Sequence, residues 1–394
     1  MGHGIYHRYF AAFRTKENEL RGYAYADDDV KAQMLPVVTL TRHRESESLA
    51  PSLQKLLQVT NGNSVIVDFD PSPTKVTSDE EYDARAEKAN KNKEEKGISI
   101  KQKSERQITA IANKRKKSQA AAEAYNAYIR GLASPMEGYS NWRSFLADMP
   151  GVIPVAQLSN PAGSRALVTS ITAHGGMVAF RVDVRSEAAI TALIASASGL
   201  QHPDKVICIV DAGNVRGDFK SAKSLVSDRF ALLNEKIGPT QFGKMVKVCM
   251  AGSFPLFLEG ISSPIRILER DLYTHVREAG WDVRYGDYSS IQHRDLQTMA
   301  TSWKPHVDVA HPDVWYFERG EKSKAAKDYP LLAQRHVSKP NVWNERVGCW
   351  GTQTIELASS GGATDIYGLE MKDPGRWMSV RISQHFAQQV RRPD

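Results

Sequence analysis

Nine short β-type runs punctuate this chain, and helix-forming stretches separate most of them. The clearest are Tyr9–Arg14, Leu35–Thr41, Ser64–Phe69, Gly151–Gln157, Met177–Val184, Lys205–Asp211, Lys244–Gly252, Trp281–Gly286 and Asp313–Arg319. Strand alternating with helix is the pattern of a parallel sheet with helical crossovers. The run Leu35-Pro36-Val37-Val38-Thr39-Leu40-Thr41 is apolar on both faces, as a strand covered on both sides should be. Eight such units close into a barrel, and barrels of this kind gather chemistry at the carboxyl ends of their strands. The expected fold is therefore α/β, a (β/α)8 TIM-like barrel over residues 1–288. A basic helical insertion at 71–150 interrupts it, and 289–394 form a C-terminal extension packed on the barrel as a cap. Within that extension, Val314–Gly320 reads as an added hairpin rather than an eighth barrel strand.

The insertion holds most of the chain's charge asymmetry. Residues 78–132 are polar, alanine-rich and helix-forming. Between 85 and 117 there are twelve Lys/Arg against four Glu, an excess of eight, so the rest of the chain sums to −1 of the formal +7. Gly97-Ile98-Ser99 should divide the stretch into two helices, a hairpin or long arm. Because it follows the third strand, the arm should rise beside or over the barrel mouth. Its cation density suits a polyanion such as nucleic acid, with Lys101, Lys103, Arg106, Lys114, Arg115, Lys116 and Lys117 as contacts. Tyr82, Tyr125, Tyr128 and Tyr139 flank it and would offer base stacking. A solvated helical arm, or a contact with a protein partner or second copy, is the plainer alternative.

Three cysteines without close pairing argue against a disulfide framework. Nor does any segment offer the ~20 apolar residues that span a bilayer. A cytoplasmic protein with no membrane contact is the default expectation. Zinc-protease, nucleophile-elbow and Walker motifs are all missing from the sequence.

The strand ends supply the candidate site. Asp68, Asp70, Asp183, Asp211 and Asp287 are the acidic candidates for catalysis. Asp68, Asp70 and Asp211 are the expected ligands if a divalent cation such as Mg is a cofactor. Asp68 and Asp70, two apart, point to one face of a strand. Arg14, Lys16, Arg42, Arg181, Asn214, Ser253 and Arg319 are the candidates for holding an anion. For any one aspartate, capping a helix or pairing with an arginine is the bland alternative. His293 and His311 are the best-placed histidines for acid–base work. Trp303, Trp315, Trp343, Trp350 and Trp377 read as glue between extension and barrel.

Three stretches carry a family resemblance. They are Tyr9–Leu20 with Leu35–Arg42, Gly286-Asp287-Tyr288-Ser289-Ser290-Ile291, and Trp315–Gly320 with Trp350-Gly351-Thr352-Gln353. In this order the chain resembles the "beta protein" family of phages and bacteria. The resemblance covers both ends of the chain and implies a setting in phage genomes or mobile, antiviral-defence-rich regions rather than a reaction. Together these readings give a phage- or defence-associated protein that binds nucleic acid or a nucleotide at the barrel mouth. If it is an enzyme, metal-assisted phosphodiester hydrolysis is the expected reaction. The alternative is a non-catalytic binding or assembly module of a phage particle or defence complex.

Overall fold

The computed structural model describes residues 7–392 apart from 96, 98, 100–103, 148, 256, 257, 259, 292–303 and 322–326. Eight parallel strands form its sheet: β1 (Tyr9–Arg14), β2 (Met34–Leu40), β3 (Val65–Phe69), β4 (Val152–Pro154), β5 (Val178–Asp183), β6 (Val206–Asn214), β7 (Val246–Gly252) and β9 (Arg284–Asp287). Their order is β4-β3-β2-β1-β9-β7-β6-β5. A parallel bridge between Val155 and Ala179, with Ala156 N–H donating to Ala179 O at 2.8 Å, joins the two outer strands. The sheet is therefore a nearly closed barrel alternating with helices, the TIM-like architecture that the strand rhythm implies.

Register shows which side chains face inward, since neighbouring residues of a parallel ladder share a face. Phe10 lies beside Leu35 and Gly286, Val37 beside Ile66, and Ala179 beside Ile207. These apolar residues fill the lower barrel. Near the carboxyl ends the same inward rows become Thr39, Asp68, Arg181 and Asp211. Gly252 belongs to this level. A Cβ there would sit 2.9 Å from Cδ2 of Tyr288, so the glycine is what admits the Tyr288 ring.

The outer wall is helical. Phe13 stacks on Tyr23 of the helix Glu17–Ala24 at 5.6 Å, and Phe386 of the helix Pro374–Arg391 packs against both. This last helix lies against β1 and Glu17–Ala24. It thus occupies the place of the helix that closes an eighth β/α unit. What precedes it is an antiparallel sheet of β8 (Ile265–Arg266), β10 (His306–Ala310) and β11 (Val314–Arg319), in the order β10-β11-β8. The run containing Val314–Arg319 is an added hairpin strand, as its sequence suggests.

The 71–150 insertion consists of helices Asp79–Glu94, Glu105–Leu132 and Ser140–Leu146. Trp142 anchors its return. Its ring is fully buried 4.7 Å from Phe69, and its Nε1 donates to Val155 O at 3.0 Å. Burying a ring of this size stabilises by about 3 kcal/mol, enough to fix the short helix. Trp315 is buried 5.8 Å from Phe254 in the loop after β7, and Trp350 4.6 Å from Tyr25, so these two tie the extension to the barrel, whereas Trp343 and Trp377 are buried in the extension's own core. Trp303 lies outside the described residues.

Candidate functional site

Arg181 organises the barrel mouth. Its Nε donates to Asp211 Oδ2 at 2.9 Å, its Nη2 to the Tyr288 hydroxyl at 2.9 Å, and its Nη1 to Thr39 Oγ1 at 3.4 Å. Thr39 is on β2, separated from β5 by β4 and β3 across the Val155–Ala179 bridge, so this bond crosses the barrel interior. Asp68 Oδ2 lies 4.0 Å from Nη1, and Asp68 Oδ1 accepts from Gln157 Nε2 at 3.2 Å. The Tyr288 hydroxyl also donates to Asp211. Burial opposes the charge of Arg181, yet Tyr288, Asp211 and Asp68 beside it raise its pKa above the ordinary guanidinium value. Burial likewise pushes the Asp68 carboxyl up, and Arg181 restrains that rise. Asp68, Arg181 and Asp211, remote in sequence, thus meet in one braced network.

The arm is built differently. Ser104 caps the long helix Glu105–Leu132 with a capping box: its Oγ accepts from Gln107 N–H at 3.4 Å while Gln107 Oε1 accepts from Ser104 N–H at 3.0 Å. The buried positions of this helix begin at Ala121 and continue through Tyr125, Ile129 and Leu132. The turns before Ala121 therefore project, over a length of roughly 24 Å at 1.5 Å per residue. Asp79–Glu94 buries no residue and runs beside them. Arg115 Nη1 donates to Asp83 at 2.7 Å and its guanidinium covers Tyr82 at 5.2 Å, tying the two helices together. Arg85, Lys88, Lys91, Lys93, Arg106, Lys114, Lys116 and Lys117 are all exposed. Among the described residues none of these has an ion-pair partner, whereas Arg115 does. Lys101 and Lys103 lie outside the described residues.

Comparison with known proteins adds identity. The family model described as Beta protein matches residues 9–391. The chain belongs to the Beta protein family. It is similar to "Protein beta" of Enterobacteria phage P4, with 25% identity over 395 residues that cover 97% of this chain and 92% of the relative. No solved structure matches it.

In this Beta family chain the remaining candidates do not join the mouth network. Asp70 is exposed and accepts from Ser72 N–H at 2.9 Å, while Asp183 accepts from Arg185 N–H at 2.9 Å; each caps its own turn. Arg14 is held by Glu19, with Nη2 to Oε1 at 2.8 Å. Lys16 stands exposed at the N-cap of Glu17–Ala24. Arg42 donates to Ser46 O at 2.8 Å and lies 5.2 Å over the Tyr125 ring. Asn214 donates to Phe254 O at 3.3 Å and accepts from Arg216 N–H. Arg319 sits in the antiparallel sheet and donates to Leu258 O at 2.8 Å. Most of these groups satisfy loop carbonyls or their own turns, which a buried or half-buried loop requires. His311 is buried with Nε2 2.8 Å from Val342 O, and His293 lies outside the described residues.

Asp287 needs a correction of place. Its side chain points away from the barrel axis, because strand alternation gives the inward position to Tyr288. Asp287 accepts from the Tyr9 hydroxyl at 2.6 Å, the Tyr285 hydroxyl at 2.7 Å and Ser289 N–H at 2.8 Å. His385 Nε2, from the last helix, is 2.7 Å away. Burial opposes the charge of Asp287, but His385 and the tyrosine hydroxyls outweigh it and hold its pKa below the usual range. Beside it, the Ser253 hydroxyl donates to Glu269, whose carboxyl is raised to about 7 by burial and by Asp287. Tyr288, Glu269 and His385 were not candidates from sequence. Tyr288 directly follows Asp287, and only the phase of alternation separates them.

The proposed cation ligands do not fit a cation site. Asp68 and Asp211 both face a guanidinium, and Asp70 is turned into its own loop. Among the described residues no group of three or more His, Cys, Asp or Glu is placed to hold a metal ion. The described helices also include none long and apolar enough to cross a membrane. Cys208, Cys249 and Cys349 are buried free thiols, and burial pushes Cys208 and Cys249 up to about 12.

Proposed function

We propose that this protein binds nucleic acid through the projecting arm, with the barrel serving as its rigid support. The exposed, unpaired cations of the arm carry this reading. A phosphate backbone that meets them releases condensed counterions, which drives binding without base contacts. Lysines paired within the fold would already have spent that advantage. The phage relative is consistent with a setting in which nucleic acid is abundant, although its name says nothing of binding.

Metal-assisted hydrolysis at the mouth has less support. A divalent cation between Asp68 and Asp211 would have to displace Arg181, and the displaced guanidinium would lose its buried partners. We therefore read the mouth as a brace and the protein as a non-catalytic binding module.

The test is fluorescence anisotropy with labelled nucleic acid, comparing wild type with the variant Arg106→Gln, Lys114→Gln, Lys116→Gln, Lys117→Gln. These side chains are exposed, so the fold should be retained, as circular dichroism would verify. The variant should bind about a hundredfold more weakly at moderate salt, with a flatter salt dependence. Equal affinity in the two proteins would refute the reading.

A further inference from the structure

Resting on that reading of the arm, we infer that its ligand is duplex DNA gripped along the phosphate backbone without sequence preference. From Asp83 to Ala124 the sequence contains no Phe, Trp, Tyr or His. Binding of single strands relies on bases stacked upon aromatic side chains, and the projecting part of the arm has none. The flanking tyrosines do not make up the lack. The Tyr82 ring is covered by Arg115, Tyr125 is 5 % exposed beneath Arg42, and Tyr139 is fully buried with its hydroxyl 2.9 Å from Ser159 Oγ. Tyr128 packs edge-on against Phe145 at 6.2 Å. Tyr125 and Tyr139 are thus buried, and Tyr82 and Tyr128 are only partly exposed, with ring surface already engaged.

The cation type points the same way. Nine of the twelve basic residues between 85 and 117 are lysine. Lysine meets phosphate as a point charge, whereas guanine is read mainly by the bidentate fork of arginine. Of the three arginines, Arg115 is committed to Asp83 and Tyr82. Spacing adds a third argument. Arg106, Lys114 and Lys117 stand at i, i+8 and i+11, which places them on one helix face over about 16 Å. The major groove of B-form DNA, about 12 Å wide, admits a helix so that such cations reach phosphates on both sides. The deep, narrow major groove of A-form RNA does not admit side chains.

The experiment uses the full chain and four labelled probes: a mixed-sequence DNA duplex, a second duplex of unrelated sequence, one of the single strands, and an RNA duplex. The two DNA duplexes should bind equally, and about tenfold or more tighter than the single strand or the RNA. Replacing Lys114, Lys116 and Lys117 by Gln should reduce the slope of log K against log salt by about 3 for the DNA duplex. A single strand or RNA duplex bound as tightly as the DNA duplex would overturn the inference while leaving the arm reading intact. So would a clear preference between the two duplex sequences. If no probe binds the wild type, the arm reading itself fails.

Discussion

Replacing Arg181 by Met is expected to destabilise the protein by about 3–5 kcal/mol, the cost of leaving a buried charge without its partner. The side chains involved are well covered, at 13% exposure for Arg181 and 4% for Asp211. Without the guanidinium, Asp211 loses the charge held 2.9 Å from its carboxylate, and Asp68 loses the cation that restrains the rise caused by its burial. The effect should not depend on any ligand. It should shrink when the carboxylates are neutralised as well, because an apolar replacement of a whole buried ionic group is often nearly neutral. The comparison is the urea midpoint of wild type, Arg181→Met, and the triple variant with Asp68→Asn and Asp211→Asn. A single-variant loss below about 1 kcal/mol would show that the network contributes no more than a surface ion pair, and the mouth would have to be read as something other than a brace.

The second large effect is a pH dependence set by Glu269. Its carboxyl titrates at about 7 in the folded chain against an ordinary 4.5, because burial and then Asp287 disfavour its charge. Between those two values the folded protein holds a proton that the unfolded chain has released. Stability contributed by this group is therefore present below about pH 4.5 and is lost as pH rises toward 7. The shift corresponds to about 3 kcal/mol. Asp287, Ser253 and His385 face the carboxyl. The pH dependence of the rest of the molecule is removed by subtracting the curve of Glu269→Gln, which mimics the protonated form. Wild type should lose stability relative to Glu269→Gln from pH 5 to pH 8, as read from thermal midpoints across that range. Parallel curves for the two proteins would place the Glu269 proton elsewhere.

Both predictions concern residues whose visibility in the sequence differed sharply. Asp68, Arg181 and Asp211 were legible because each lies in inward phase near the carboxyl end of an apolar strand, and the barrel then brings them together. Asp287 also closes a strand, but Gly286-Asp287-Tyr288 offers no apolar alternation from which to fix the phase, and the structure gives the inner position to Tyr288. Arg42, Asn214 and Arg319 were read as anion holders from residue type and their place at the ends of strand runs. What decides their use is the supply of loop carbonyls at Ser46, Phe254 and Leu258, which sequence does not disclose. The arm was legible for the opposite reason. Its charge, capping residues and lack of apolar periodicity are local properties, so a solvated helical pair can be read from them without knowledge of the tertiary contacts. The last helix was recognised as a helix but not as part of the barrel wall. An antiparallel sheet intervenes between it and its strand. Its buried Gln384, His385, Gln388 and Gln389 also resemble a solvated face until Asp287 and Asp308 are brought against it.

The central claim is a division of labour: the arm meets nucleic acid and the barrel mouth holds itself together. Lysine footprinting tests it most directly, by measuring acetylation of each lysine with and without a saturating DNA duplex. Lys88, Lys91, Lys114, Lys116 and Lys117 should become protected while the rim lysines, Lys16 just after β1 and Lys55 with its Nζ 3.2 Å from His43 in the loop after β2, react as before. Protection of the rim lysines with an unprotected arm would contradict the account and return the ligand to the barrel mouth.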